Sequence, residues 1–155
     1  MSSQVLRSQE ITQEAWLRFL RAHAAVTREL SARLENAHGL TLSDFDVLVQ
    51  LWHAEGNRLR RVDLARTVLL TASGITRLLD GLERAGWVEK QRCSSDARVT
   101  YAALTQTGLE KIESARSSHH ADIEELFGAR FSDEEKATLD ELLARLPLAD
   151  TACQK

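Results

Sequence analysis

"DLARTVLLTASGITRLLDGLERAGWVEKQRCSSDARVTYAALTQTGLE", residues 63–110, is the stretch whose reading decides the fold. Together with the two arginines before it, residues 60–68 (RRVDLARTV) predict a short helix with Val62, Leu64, Ala65 and Val68 on its apolar side. A turn at Leu70 follows. Thr71 then offers a helix cap, and the pattern runs on as helix to about Ala85, closed by Gly86. Ile75, Leu78, Leu79 and Leu82 fall on one stripe of this second helix, and Ser73, Thr76, Arg77, Asp80, Gly81 and Arg84 fall on the other. Two short helices joined by a tight turn, the second with small polar residues and an arginine near its start, form a helix-turn-helix pattern.

Beyond Gly86 the period changes from helical to alternating. Residues 87–92 (WVEKQR) and 98–105 (RVTYAALT) alternate, include β-branched or aromatic residues, and read as two strands. Between them Ser94 and Ser95 make the turn. Val99 and Tyr101 anchor the returning strand, and Asp96 is placed to steady Arg98 or a neighbouring backbone N–H. A hairpin directly after a helix-turn-helix is the layout of a winged helix, with the hairpin loop as the wing.

Outward from this lobe the chain is helical. Residues 12–37 contain no Pro or Gly, and Trp16, Leu20, Leu30 and Leu34 recur at three- and four-residue steps, giving a long amphipathic helix ended by Gly39. In "TLSDFDVLVQLWHAEG" (41–56) Ser43 is the expected N-cap, Phe45, Leu48, Val49 and Trp52 form an apolar face, and Gly56 stops the helix. Residues 105–127 predict another long helix marked by Leu109, Ile112, Ala115, Ile123 and Leu126. Ser132 opens a last one in a capping box with Glu135.

The whole chain, 155 residues long, fits one domain on the usual scale of roughly 100–200 residues. No apolar run approaches the ~18 residues of a membrane span, and residues 1–10 lack the apolar centre of a signal peptide, so a cytoplasmic protein is expected. Cys93 and Cys153 are far apart and have no metal-ligand spacing, which points to a reducing compartment and no structural disulfide. Phosphate-binding glycine loops, HExxH and GxSxG are absent, so neither an enzyme nor a bound cofactor is expected. The net charge of -3 is unevenly spread. Residues 58–101 hold nine bases and five acids, while the remainder holds 11 bases and 18 acids. A basic middle between acidic ends suits a DNA-reading module, because phosphate neutralisation needs only local positive charge.

The ordered set "LTLSDFDVLVQLW", the 63–110 stretch and "FSDEEKATLDELLARL" resembles the MarR (multiple antibiotic resistance regulator) family of winged-helix transcription factors over roughly residues 40–146. Its specific part is the D-x-R of Asp96-Ala97-Arg98, followed by a strand and the LTxxG of Leu104, Thr105 and Gly108. The resemblance implies a mainly α fold with a small β-hairpin wing, and a winged helix-turn-helix lobe (41–104) flanked by dimerisation helices (12–38 and 105–146) within one domain spanning 1–155. It also implies a homodimer acting as a repressor on a pseudo-palindromic operator and released by a small aromatic or phenolic effector. Half-sites would then lie about 10 base pairs apart.

For the major groove of double-stranded DNA the expected residues are Ser73, Thr76 and Arg77, with Thr71 at the start of the same helix; small hydroxyls admit the helix and an arginine reaches guanine or phosphate. Arg98 is the expected wing residue for the minor groove, held by Asp96. Lys90, Arg92, Arg60 and Arg61 would add phosphate contacts. Trp16, His23, Trp52 and His53 are candidate effector residues, since such cavities are apolar with a few polar groups, although a Trp at helical spacing equally serves core packing. His119 and His120 read as a solvated pair without the ligand cluster that a metal site needs. Two alternatives stay open: a winged helix that serves as a protein-interaction module, and a redox-responsive regulator using Cys93.

Overall fold

The computed structural model describes residues 2–67, 72–93, 96 and 98–146. In chain order they form α1 (Ser2–His38), α2 (Leu42–His53), a single 3-10 turn (Glu55–Asn57), β1 (Arg58–Arg60), α3 (Arg61–Thr67), α4 (Ala72–Arg84), β2 (Val88–Arg92), β3 (Thr100–Leu104), α5 (Gln106–Leu126), a second 3-10 turn (Gly128–Arg130) and α6 (Asp133–Leu143). The mainly helical winged helix-turn-helix expected from the periodicity is the fold observed. Thr71, Ser94, Ser95 and Cys153 lie outside the described residues, and Ser73 is placed by its backbone alone.

One core closes the lobe. Leu48 and Leu51 of α2, Leu64 of α3, and Leu79 and Leu82 of α4 are buried together with Val88 of β2, Ala102 of β3 and Ile112 of α5. Leu34 and Leu40 bring the end of α1 into the same cluster. Each belongs to an apolar stripe that one helix cannot cover alone, and burial of a leucine stabilises by roughly 1.5–3 kcal/mol.

Three local details differ from the sequence expectation. The N-cap of α2 is Thr41, not Ser43: the Thr41 hydroxyl accepts from the Asp44 N–H at 3.1 Å while the Asp44 carboxylate accepts from the Thr41 N–H at 2.9 Å. That reciprocal pair satisfies two helix-end donors at once, which Ser43, two residues further in, does not do. The first helix begins at Ser2, ten residues before the expected start. And the sheet has three strands in the order β1-β3-β2, because Arg58–Arg60 pair antiparallel with β3 before α3 starts.

The turn from β3 into α5 explains the LTxxG signature. The Thr105 hydroxyl donates to the Gly86 carbonyl at 2.6 Å and accepts from the Gly108 N–H at 3.0 Å, so one side chain caps α5 and ties it to the end of α4. A Cβ on Gly108 would sit 1.9 Å from the Trp87 carbonyl oxygen, so only glycine lets the backbones meet there. Gly86 itself turns the chain out of α4 at φ 77.

Outside the lobe, α1 and α5 run together through ions. Arg33 binds Glu29 (3.0 Å), Asp122 (2.8 Å) and Glu125 (3.0 Å), and His38 Nε2 lies 2.6 Å from the Ser118 hydroxyl. The hydrogen bonds that Arg33 donates to Glu125, Asp122 and Glu29 hold its guanidinium well above its ordinary pKa, and Arg33 holds Glu125 below its own. No helix among the described residues is long and apolar enough to cross a membrane.

Candidate nucleic-acid interface

Helix α4 buries Ile75, Leu79 and Leu82 and exposes Thr76, Arg77 and Arg84, so its polar stripe faces solvent. The backbone puts Ser73 one turn before Thr76 and Arg77. Arg84 Nε donates to the Asp80 carbonyl at 3.2 Å, folding that arginine back onto its own helix. Lys90 of β2 is engaged from α4 by Glu83 at 3.0 Å and Asp80 at 3.6 Å. Its charge is therefore offset locally, and among the basic residues here it has the least left for a phosphate.

The wing is set by its backbone. The Cys93 N–H donates to the Val99 carbonyl at 3.1 Å, and the Val99 N–H donates to the Asp96 carbonyl at 3.0 Å. The Asp96 carboxylate accepts the Arg98 N–H at 2.9 Å. An Asp that bonds the backbone two residues on builds a tight turn, and here it fixes where the exposed Arg98 side chain starts. Arg92 is exposed on the opposite strand, paired in register with Thr100.

Arg60 and Arg61 sit at a junction rather than within one helix. Arg60 ends β1 opposite Tyr101, and Arg61 opens α3. The helical period of residues 60–68 puts both at the start of a helix. A three-residue RLR strand is too short to show alternation, and only its pairing with β3 reveals it. That pairing also brings Arg58, which the sequence reading passed over, to 5.0 Å above the Tyr101 ring.

The four candidate effector residues do not converge. Trp16 and His23 flank Phe19 on α1, at 6.1 and 6.4 Å between ring centroids, with Trp16 57% exposed. Trp52 meets His53 edge-on at 4.7 Å on α2, and Arg116 of α5 lies 3.7 Å over the Trp52 ring. A cleft of about 470 Å³ between α2 and α5 is lined instead by residues that include Phe45, Val49, Arg116, His119, His120 and Ile123. His119 is not solvated as expected: it is 8% exposed, 4.4 Å from the Phe45 ring, and its Nδ1 has no hydrogen-bond partner. Burial lowers its pKa, opposed by the charge of Asp122. His120 is exposed. Among the described residues no group of three His, Cys, Asp or Glu side chains could hold a metal.

Residues 29–115 match the family model described as transcriptional regulator SarA/Rot. An uncharacterised HTH-type transcriptional regulator of Bacillus subtilis, YdgJ, is 31% identical over 78% of this chain and 72% of its own length. Among solved structures, AbsC of Streptomyces coelicolor, a MarR family transcriptional regulator, is 32% identical and superposes with a TM-score of 0.80 over 84% of this chain and 88% of its own. Sco3205 of the same organism, a MarR family transcriptional regulator solved in complex with DNA, is 26% identical with a TM-score of 0.81, covering 85% and 86%.

Proposed function

This chain belongs to the MarR family of winged-helix transcriptional regulators, and from that premise we propose that it acts as a homodimeric repressor on a pseudo-palindromic duplex. The observation that carries the reading is the placement of its cations. The exposed stripe of α4 presents Thr76 and Arg77, and the wing presents Arg92 and Arg98 on a turn fixed by Asp96. Ser73, Thr76 and Arg77 read base edges in the major groove, Arg98 enters the adjoining minor groove, and Arg60, Arg61 and Arg92 contact phosphates. Thr71, just ahead of α4, adds a hydroxyl at the same groove, and Lys90 serves mainly to tie β2 to α4. The DNA complex of the relative Sco3205 supports duplex DNA as the ligand.

The domain division follows the same logic. Residues 41–104 form the DNA-binding lobe, and 12–38 with 105–146 join two copies. Every described side chain from Arg7 to Ala25 is exposed, Ile11, Trp16, Leu17, Phe19 and Leu20 among them, and Phe127, Phe131, Leu142 and Leu146 are exposed near the other end. Apolar strips of that length on a water-soluble chain call for a covering partner, and a second copy supplies the matching surface. Trp16, His23, Trp52 and His53 come from two separate helices, so as an effector site they depend on the dimer to bring them near one another. The effector itself is a small aromatic or phenolic compound that binds better to a lobe spacing mismatched with the half-sites, and so lowers DNA affinity.

Enrichment of bound duplexes from a random-sequence DNA library tests the reading. A sequence with two inverted half-sites about 10 base pairs apart, retained over scrambled competitor, is the expected result. Recovery of no sequence above the starting pool would exclude it.

A further inference from the structure

Strand β1 gathers side chains on one face of the wing sheet. Arg60 is in register with Tyr101, Tyr101 with Gln91, and Arg58 with Ala103. Because side chains alternate along a strand, Arg58 and Arg60 share the face that carries Tyr101 and Gln91. The Arg58 guanidinium stands 5.0 Å from the Tyr101 ring centroid, with Nη1 3.4 Å from Gln91 Oε1. Arg60 stands directly across the strand pair from Tyr101, whose phenol raises its pKa. Two guanidinium groups two residues apart on a strand repel each other, yet one phenol lies beside both. The ring face attracts one cation, and the hydroxyl oxygen is an acceptor for the other.

The direction of β1 decides what this pair can reach. β1 is antiparallel to β3, so it runs toward the wing turn and ends at Arg60, where α3 begins with Arg61. Arg92, in register with Thr100, and Arg98 lie at that same end of the sheet. The acid whose charge acts on Arg60 is Asp63, which also lies 4.0 Å from Arg66. Arg58 and Arg60 are both exposed, while Tyr101 between them is half-buried and so the better fixed of the three.

We infer that Tyr101 is a positioning residue for DNA binding: its hydroxyl aims Arg60 at a backbone phosphate beside the wing, and its ring holds Arg58 as a second cation at that phosphate. A fixed fork of donors suits a phosphate better than two free arginines do, since the ordering cost is met before the ligand arrives. This inference rests on the DNA-binding reading above and adds Arg58 and Tyr101 to it.

The test is a double-mutant cycle in the full-length chain, using a duplex enriched by the wild-type protein from the random library and measured across a range of salt. Thermal melts verify that each variant is folded. Arg60→Ala is expected to lower the slope of log affinity against log salt by about 0.9, the value of one phosphate contact. Tyr101→Phe, which keeps the ring, is expected to weaken binding severalfold when Arg60 is present and not at all in the Arg60→Ala background. Tyr101→Leu should cost more than Tyr101→Phe only while Arg58 is present. A merely structural tyrosine would weaken binding equally in both backgrounds, and that result overturns the inference, as does Tyr101→Phe at full affinity. A wild-type chain that enriches no duplex overturns the DNA-binding reading and this inference with it, whereas a binding wild type with an additive cycle overturns the inference alone.

Discussion

The winged lobe and the two chain ends treat their apolar residues in opposite ways. In the lobe Leu48, Leu51, Leu64 and Leu79 are each fully buried by α2, α3, α4, the sheet and α5. At the ends, α1 from Arg7 to Ala25 has no covered side chain, and between Phe131 and Leu146 only Lys136, Leu139 and Leu143 are even half-buried. Both regions have amphipathic helical patterns in sequence. The difference lies in contact order along the chain: the lobe's stripes find partners within one compact unit, while the stripe of α1 projects beyond anything this chain can lay against it. The lobe is therefore expected to be stable by itself, and the ends only when a second copy is present.

Breaking the ends should have the largest effect. Trp16→Glu combined with Leu20→Glu puts two carboxylates on the exposed stripe of α1, and sedimentation should show monomers, against the dimer expected of the wild type. Duplex affinity should fall on the order of 10³-fold, because two linked lobes bind as one ligand and separate lobes do not. A wild-type monomer, or a dimer unaffected by the pair, would erase the contrast between the regions.

Leu79→Ala breaks the other side of the comparison. Leu79 is fully buried, so its truncation should cost about 3 kcal/mol in denaturant unfolding, within the range for cavity-forming leucine changes. Leu17→Ala, at a position 48% exposed, should cost less than about 0.5 kcal/mol when both proteins are diluted below the dimer's dissociation range. Equal costs would mean that α1 is already covered within one chain.

The lobe was legible in sequence because its elements are long enough to show a period and are bounded by caps and glycines. Ile75, Leu78, Leu79 and Leu82 repeat at three and four, and Thr105 with Gly108 marks a junction only glycine can pass. What escaped had no local signature. β1 is three residues long and exists only through β3. Thr41 and Ser43 are both plausible caps, and only the reach of Asp44 back to Thr41 decides between them. His119 did carry a signal: it continues the buried series Ile112, Ala115 at steps of three and four, and its neighbour His120 obscured it.

Within the candidate interface the contrast becomes one between fixed and free cations. Lys90 is held by Glu83 and Asp80, whereas Arg98 is exposed on a turn built by Asp96. Arg98→Ala should weaken operator binding about tenfold and lower the salt slope by about 0.9 with the dimer intact, as read in a salt-titrated shift assay. Lys90→Ala should change the slope much less. If Lys90 and Arg98 proved equivalent, the distinction drawn from their partners would fail.

The smallest expected effect lies at the seam where the lobe meets the long helices. His119 of α5 packs against Phe45 of α2, with its Nδ1 buried and unpaired. Burial lowers its pKa in the folded chain below the ordinary value of 6.5, so the unfolded chain takes up a proton first as pH falls. Stability is therefore fully present above about pH 6.5 and declines as pH drops from there toward the folded value, below which the loss stops growing. Denaturant unfolding at a series of pH values should show that decline in the wild type and a flatter curve in His119→Gln, which keeps a polar side chain but does not titrate. Identical slopes in the two proteins would place the pH dependence elsewhere and make His119 a packing residue only. A measured difference would mean instead that protonating the buried imidazole at the α2–α5 contact destabilises the fold.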